Sequence, residues 1–272
     1  MLLMFGCTSR DTTVDKSKLF GTDYRLFQGT AAWELAKAVE DGDAVKIRAE
    51  VNKNKNLLSF REARWGQSLL QVAVKTKKYR SVETLLALGA DPNMQDLYYG
   101  DSPLMESAKI GSAMEGSDPR FLKLLLKHGG DPNAEQHGPM KTRDTPLMDA
   151  CQQGNLDYVK ILVNAGAKVN VINEYNDCPL ERAVTQEYPD IVIYLIEKGA
   201  DFKRVLYKTI PEGESKYITD GLRFWRFDLG SDEYKKKMQL VDFLKKNGLD
   251  YWKTPIPNTF LDEYPKEYLE KY

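Results

Sequence analysis

The sequence is short of the residues that catalysis and metal binding draw on. Among 272 residues there are two histidines and three cysteines. Cys7, Cys151 and Cys178 lie far apart, whereas zinc sites use closely spaced ligand pairs, so no structural metal is expected. An excess of one charge is also missing. Lys and Arg number 39 against 40 Asp and Glu, a net charge of −1, and without a basic excess to neutralise phosphates a nucleic-acid partner is excluded. No apolar run reaches the roughly 18–20 residues that span a bilayer. There is no Gly-x-Ser-x-Gly elbow and no dinucleotide fingerprint. The stretch "GSAMEGS" (111–117) has the glycine spacing of a phosphate loop but lacks the lysine that should follow its second glycine. His128 precedes a turn glycine, and His137 sits in the loop "EQHGPMKTRD", where a lone histidine is solvated by default. The expectation is a chain without catalytic groups and without a cofactor.

What is present is repetition. Ser68-Leu69-Leu70, Ser102-Pro103-Leu104, Thr145-Pro146-Leu147 and Cys178-Pro179-Leu180 begin units 34, 43 and 33 residues apart. A glycine follows each start, at Gly89, Gly129, Gly166 and Gly199, after 21 residues in three units and 27 in the second. That unit therefore carries a six-residue insertion, placed at 111–119. Ser or Thr before Pro is a helix N-cap followed by proline at the first helical position. Apolar residues at helical spacing, such as Val82-Leu85-Leu86 and Val159-Leu162-Val163, mark a second helix in each unit. The glycines stand where a left-handed C-cap is needed, and Asp-Pro-Asn opens the turn beyond.

These residues resemble the ankyrin repeat, two antiparallel helices and a hairpin finger per unit of roughly 33 residues. The resemblance implies an all-α ankyrin-repeat solenoid of about five to six repeats with degenerate caps. It divides the chain into a leader and polar linker (1–30), ankyrin repeats (31–203), a degenerate capping repeat (204–250) and a Tyr/Pro-rich C-terminal extension (251–272). Prolines 255, 257 and 265 should keep that extension from forming a long helix. It is read as an extended segment packed through Trp252 and Phe260, with a partner-binding tail as the alternative. Gln71, Met105, Met148 and Glu181 stand where the family usually has histidine, which leaves its hydrogen bond to the next repeat in question.

Without catalytic groups, function should lie on a surface. The resemblance places binding on a concave face made of finger tips and first helices. Carried over unit by unit, the tips are Arg64 and Trp65, Tyr98 and Tyr99, Lys141 with Arg143 nearby, and Glu174 and Tyr175. Just before the starts stand Asp101, Asp144 and Asp177, an acidic position that either faces a basic partner or bonds the local turn. Lys109, Gln152 and Gln153 represent the first helices. A solvated turn has no folding need for large aromatics, and Trp and Tyr dominate interface hot spots. The alternative is that each packs on the neighbouring finger.

The opening "MLLMFGC" ends an apolar stretch in Gly-Cys, which resembles a bacterial lipoprotein signal with Cys7 as the lipidated residue. Its apolar part is shorter than the roughly 7–15 residues of a working signal and has no preceding Lys or Arg. The expectation is a periplasmic, lipid-anchored protein when the full signal is present, and a cytoplasmic one from this start. Cys7 is the membrane link in that reading. Cys151 and Cys178 are read as buried thiols, with pairing in an oxidising compartment as the alternative. "DYRLFQGTAAWELAKAVEDGD" (23–43) after a Gly-Cys leader is similar to small bacterial ankyrin lipoproteins, some of which are immunity proteins for phospholipase toxins of type VI secretion. That resemblance implies a protein partner of lipase type, occluded rather than processed. The alternative is a periplasmic or cytosolic scaffold for a resident protein.

Overall fold

The computed structural model describes residues 12–110, 118–139, 142–209 and 213–271. The expectations placed on Cys7, on "GSAMEGS" and on Lys141 lie outside the described residues. The chain forms two compact units. Among described residues, one holds 12–107, 124–131 and 137–139, and the other holds 108–110, 118–123, 132–136, 142–209 and 213–271.

Helices come in short pairs: α1 (Trp33–Asp41) and α2 (Ala44–Lys53), α3 (Leu69–Lys75) and α4 (Tyr79–Ala87), α5 (Pro103–Lys109) and α6 (Pro119–Lys127), α7 (Pro146–Gln152) and α8 (Leu156–Asn164), α9 (Pro179–Thr185) and α10 (Pro189–Glu197). The first helix of each later pair begins at the predicted start. Ser68 caps α3 in a reciprocal capping box, its hydroxyl taking the Gln71 N–H while the Gln71 side chain takes the Ser68 N–H. The Gln71 Nε2 also donates to the Asp101 carbonyl at 2.7 Å. Glutamine therefore supplies the link to the next repeat that the missing histidine had put in question. Each unit alone leaves an apolar face uncovered, and stacking covers it. In the first unit α1 packs on α3 and α2 on α4, burying Leu35, Ile47, Val72, Val82 and Leu85. In the second, α7 packs on α8 and α9, and α10 on α12, over Leu147, Val159, Leu162, Val192 and Leu195.

Beyond the repeats, a two-stranded hairpin of β1 (Tyr207–Lys208) and β2 (Ser215–Lys216) leads into α11 (Ile218–Leu222) and α12 (Asp232–Lys246). The extension then forms two single-turn helices, α13 (Asn258–Leu261) and α14 (Lys266–Leu269), where an extended segment was expected. Pro257 and Pro265 stand at their N-caps, where no intrahelical N–H is needed, so the prolines limit length without preventing helix. Phe260 is buried and meets Phe224 edge-on, but Trp252 is 42% exposed. The fully buried aromatic is Tyr251, beneath the Arg223 guanidinium at 3.9 Å from the ring centroid. Cys151 and Cys178 are buried free thiols, and burial raises both above the usual thiol range.

Candidate functional site

Each finger is a hairpin closed by one backbone bond, made from the residue that opens its tip to the residue before the next start. Glu62 N–H donates to the Gln67 carbonyl, Asp96 to Asp101, Gln136 to Asp144 and Asn173 to Asp177, all at 2.9–3.0 Å. The same opening residues hold the tips. The buried Glu62 carboxylate accepts the N–H groups of Arg64, Trp65 and Gln67 at 2.7–3.0 Å. Asp96 Oδ1 accepts those of Tyr98, Tyr99 and Gly100 at 2.6–3.1 Å. Asn173 Oδ1 accepts those of Tyr175 and Asp177 at 2.9 Å. These acceptors were missed in the sequence. Their signal is a polar residue five or six positions before Ser68, Ser102 and Cys178.

In the first unit the tips are joined. Leu97 N–H donates to the Trp65 carbonyl at 3.1 Å. The Trp65 and Tyr98 rings meet edge to face at 4.6 Å, and Tyr98 meets Tyr99 in the same way. Arg64 lies over the Trp65 ring at 4.8 Å. Tyr98 is 49% and Tyr99 45% exposed, while Trp65 is half-buried with its Nε1 unpartnered. The rings pack on one another, as the alternative reading has it, and leave edges to solvent. Gly100 has φ +77°, and a Cβ there would stand 2.0 Å from the Gly138 nitrogen, so only glycine permits this approach of backbone to backbone.

The second unit's tips differ. Tyr175 is 67% exposed. Glu174 N–H donates to the Thr142 carbonyl at 3.2 Å. Arg143 bonds Glu135 at 2.6 Å and Glu174 at 3.1 Å, and these two carboxylates raise its pKa further.

The acidic positions before the starts are engaged within the protein, as the second of the two readings has it, Asp177 Oδ1 accepting the Cys178 N–H at 2.7 Å. Asp101 is 3% exposed, its side chain turned inward. Asp144 and Asp177 share Arg182, at 2.9 and 2.6 Å, and Asn173 Nδ2 donates to Asp144 at 2.7 Å. A basic partner would have to displace an internal arginine. Lys109, Gln152 and Gln153 are half-buried. Among the described residues, carboxylate oxygens of Asp96, Asp101 and Glu106 lie within 4.8 Å of one another, with Lys75 Nζ 2.8 Å from Glu106 as counter-charge.

Paired helices with bonded hairpin fingers define a repeat protein. A model of ankyrin repeats, three copies, matches residues 104–205, and the single ankyrin repeat matches 65–97. The chain is 32% identical over 126 residues to cyclin-dependent kinase 4 inhibitor B of Rattus norvegicus, 46% of this chain and 88% of that protein. It belongs to the ankyrin-repeat family, and its fold is the all-α ankyrin solenoid. It is also 32% identical over 169 residues to Protein PhlB of Serratia liquefaciens, 62% of this chain and 68% of that protein. Alpha-latrocrustotoxin-Lt1a of Latrodectus tredecimguttatus is 37% identical over 97 residues, 35% of this chain and 6% of that much longer protein.

Proposed function

We propose that this chain is a non-catalytic binding protein whose fingertips engage another protein, and that the partner is a secreted phospholipase or lipase toxin whose active-site mouth it covers. The observation that carries the binding role is the row Trp65, Tyr98 and Tyr99, stacked on tips that the buried Glu62 and Asp96 hold in place. Rigid aromatic anchors lose little conformational freedom on binding, which favours tight and specific association. The toxin reading is supported by the resemblance to bacterial ankyrin lipoproteins, by similarity to a bacterial protein over 68% of its length, and by relatives whose names make them inhibitors of an enzyme. Inhibition by cover needs about 800 Å² per partner and no reaction. In this reading the protein works in the periplasm, held by lipid on Cys7.

The test is capture from the source cell on the full chain and on the Trp65→Ala/Tyr98→Ala variant. A lipase-type protein retained by the wild type alone, with its hydrolysis suppressed at equimolar protein, is the expected result. Resident proteins retained equally by both would favour a scaffold and remove the aromatic tips. For the anchor, Cys7→Ser behind a full signal should release the protein from membranes, and continued membrane association would overturn that part.

A further inference from the structure

Among the described residues, the cations of the first finger are held by backbone carbonyls rather than by direct ion pairs, and the exposed Asp15 carboxylate acts on Arg64 only weakly. Some finger cations sit in ion pairs, such as Arg143 and Arg182, while Arg204 donates to the Asn176 carbonyl at 3.0 Å. Lys16, Arg61 and Arg64 donate to backbone carbonyls: Lys16 Nζ to Gln28 at 2.6 Å, Arg61 to Gly66 and Gln95, and Arg64 to Lys16 and Leu19 at 2.6 and 2.7 Å. A carbonyl satisfies a donor but leaves the unit charge in place. Of the nearby acids, Glu62 is buried and turned to three backbone N–H groups, and Asp15 pairs with Lys18 at 3.6 Å and acts on Arg64 more weakly.

The two Arg64 bonds both leave from Nη1. A guanidinium has five N–H donors, so the Nε and Nη2 edge, which matches a carboxylate in a two-bond fork, keeps its donors. Arg64 is exposed, and it borders a cleft of about 410 Å³ between the N-terminal segment and the first finger, walled also by Lys16, Leu26, Ala63 and Glu62, whose carboxylate is taken up by the three backbone N–H groups. The Arg64 guanidinium lies on Trp65, the first ring of the aromatic row.

We propose that this cleft receives an Asp or Glu side chain of the protein partner, on a segment whose neighbouring apolar residue lies against the Trp65 and Tyr98 rings. This rests on the binding role proposed above and names its chemistry: an acidic-apolar segment, oriented by the Arg64 fork and drawn in by cations that no direct ion pair holds.

The test is selection of random twelve-residue peptides displayed on phage against the full chain, repeated on Arg64→Gln and on Arg64→Lys, which keeps the charge and loses the fork. Circular dichroism and melting temperature verify that each variant is folded. The selected peptides should be rich in Asp or Glu beside Leu, Phe or Trp. Their affinity should fall about tenfold with Arg64→Gln, less with Arg64→Lys, and fall again as salt shortens the screening length. Amide shifts on peptide addition should centre on Ser17, Ala63 and Trp65. Peptides with no acidic excess, equal retention by Arg64→Gln, shifts elsewhere, or no enrichment would each overturn the proposal. If Trp65→Ala/Tyr98→Ala still abolished capture of the partner, the fingertip role would stand and only the carboxylate would be lost.

Discussion

The fingers of the two units solve one folding problem and leave different surfaces. In both, a polar side chain at the base of the tip takes the tip's N–H groups, Glu62 and Asp96 in the first unit and Asn173 in the second. What remains outside differs. The first unit shows stacked aromatics and an exposed Arg64 bonded to carbonyls. At the second unit's tips Arg143 lies between Glu135 and Glu174 and Arg182 between Asp144 and Asp177, while Arg204 bonds the Asn176 carbonyl. Identical backbone needs therefore do not fix the chemistry of a tip. In the proposed reading a partner gains from charge that the protein has not spent in an ion pair, and Arg64 beside the aromatic row carries such charge.

The acceptors give the largest expected effect. Asp96→Ala strands three N–H groups at once, and unsatisfied buried donors are individually worth about 1–3 kcal/mol. Partial access of water to the Tyr98 and Tyr99 groups reduces the sum, so a loss of about 3 kcal/mol in urea unfolding is expected. Asn173→Ala strands two and should lose about 1–2 kcal/mol. Asp96→Asn keeps the Oδ1 acceptor and should be close to neutral, because its Oδ2 has no hydrogen-bond partner. If Asp96→Asn were as damaging as Asp96→Ala, the carboxylate charge would matter more than its acceptor role, and the comparison with Asn173 would fail.

Legibility followed the range of the interactions. The repeat was readable because N-caps, C-cap glycines and helical spacing are local. The aromatic tips were readable because nothing local required them. Arg182 was not connected to Asp144, because 38 residues separate the two and the pair exists only after α7 and α9 stack. Asn93 and Asn133 were legible only as turn residues of Asp-Pro-Asn, and Asn170, after Lys168-Val169, carried no signal of its own. In the fold each grips the next repeat, the Asn133 side chain bonding Gly166 and Lys168 and the Asn170 side chain bonding Gly199 and Asp201, all at 2.9 Å. The recurrence of the first two was visible, but its cause lies one repeat away. Tyr251 and Trp252 are adjacent on a 3₁₀ turn (Tyr251–Lys253), and composition could not say which faced inward.

The second unit also buries charge that works against it, and this gives a pH dependence of intermediate size. Burial, with help from Asp177, raises Glu181 to about 7. The folded state then holds a proton that the unfolded chain releases above its ordinary value of 4.5, so stability falls as pH rises from about 4.5 to about 7. Burial, with repulsion from Arg223 and against the pull of Glu187, lowers Lys237 to about 7. Here the unfolded chain holds the proton that the folded state lacks, so stability rises with pH between about 7 and 10.5. The two together place a minimum near neutrality. Each limb should be about 1 kcal/mol deep, because Glu181 is only half-buried and the Lys237 amine donates to the Trp225 carbonyl at 3.1 Å. Melting temperatures across pH 4–10 should show the minimum. Glu181→Gln should flatten the acid limb alone and Lys237→Met the alkaline limb alone, and an unchanged profile in both would show that other groups set it.

The smallest expected effect is the most direct test of the contrast between tips. Arg143 is exposed and makes two ion pairs, a picture often taken as stabilising. In high dielectric such pairs gain little, and holding three long side chains in one geometry costs entropy. Its backbone has φ +59°, a region disfavoured for arginine, so the position already carries some strain. Arg143→Gln should therefore leave the melting temperature unchanged within error. It should also leave partner binding unchanged, because the charge it removes was already neutralised by Glu135 and Glu174. Arg64→Gln at the first finger is the matched variant, expected to weaken binding with the fold intact. If Arg143→Gln weakened binding as much, both tips would meet the partner, and self-neutralisation would not separate a binding tip from a silent one.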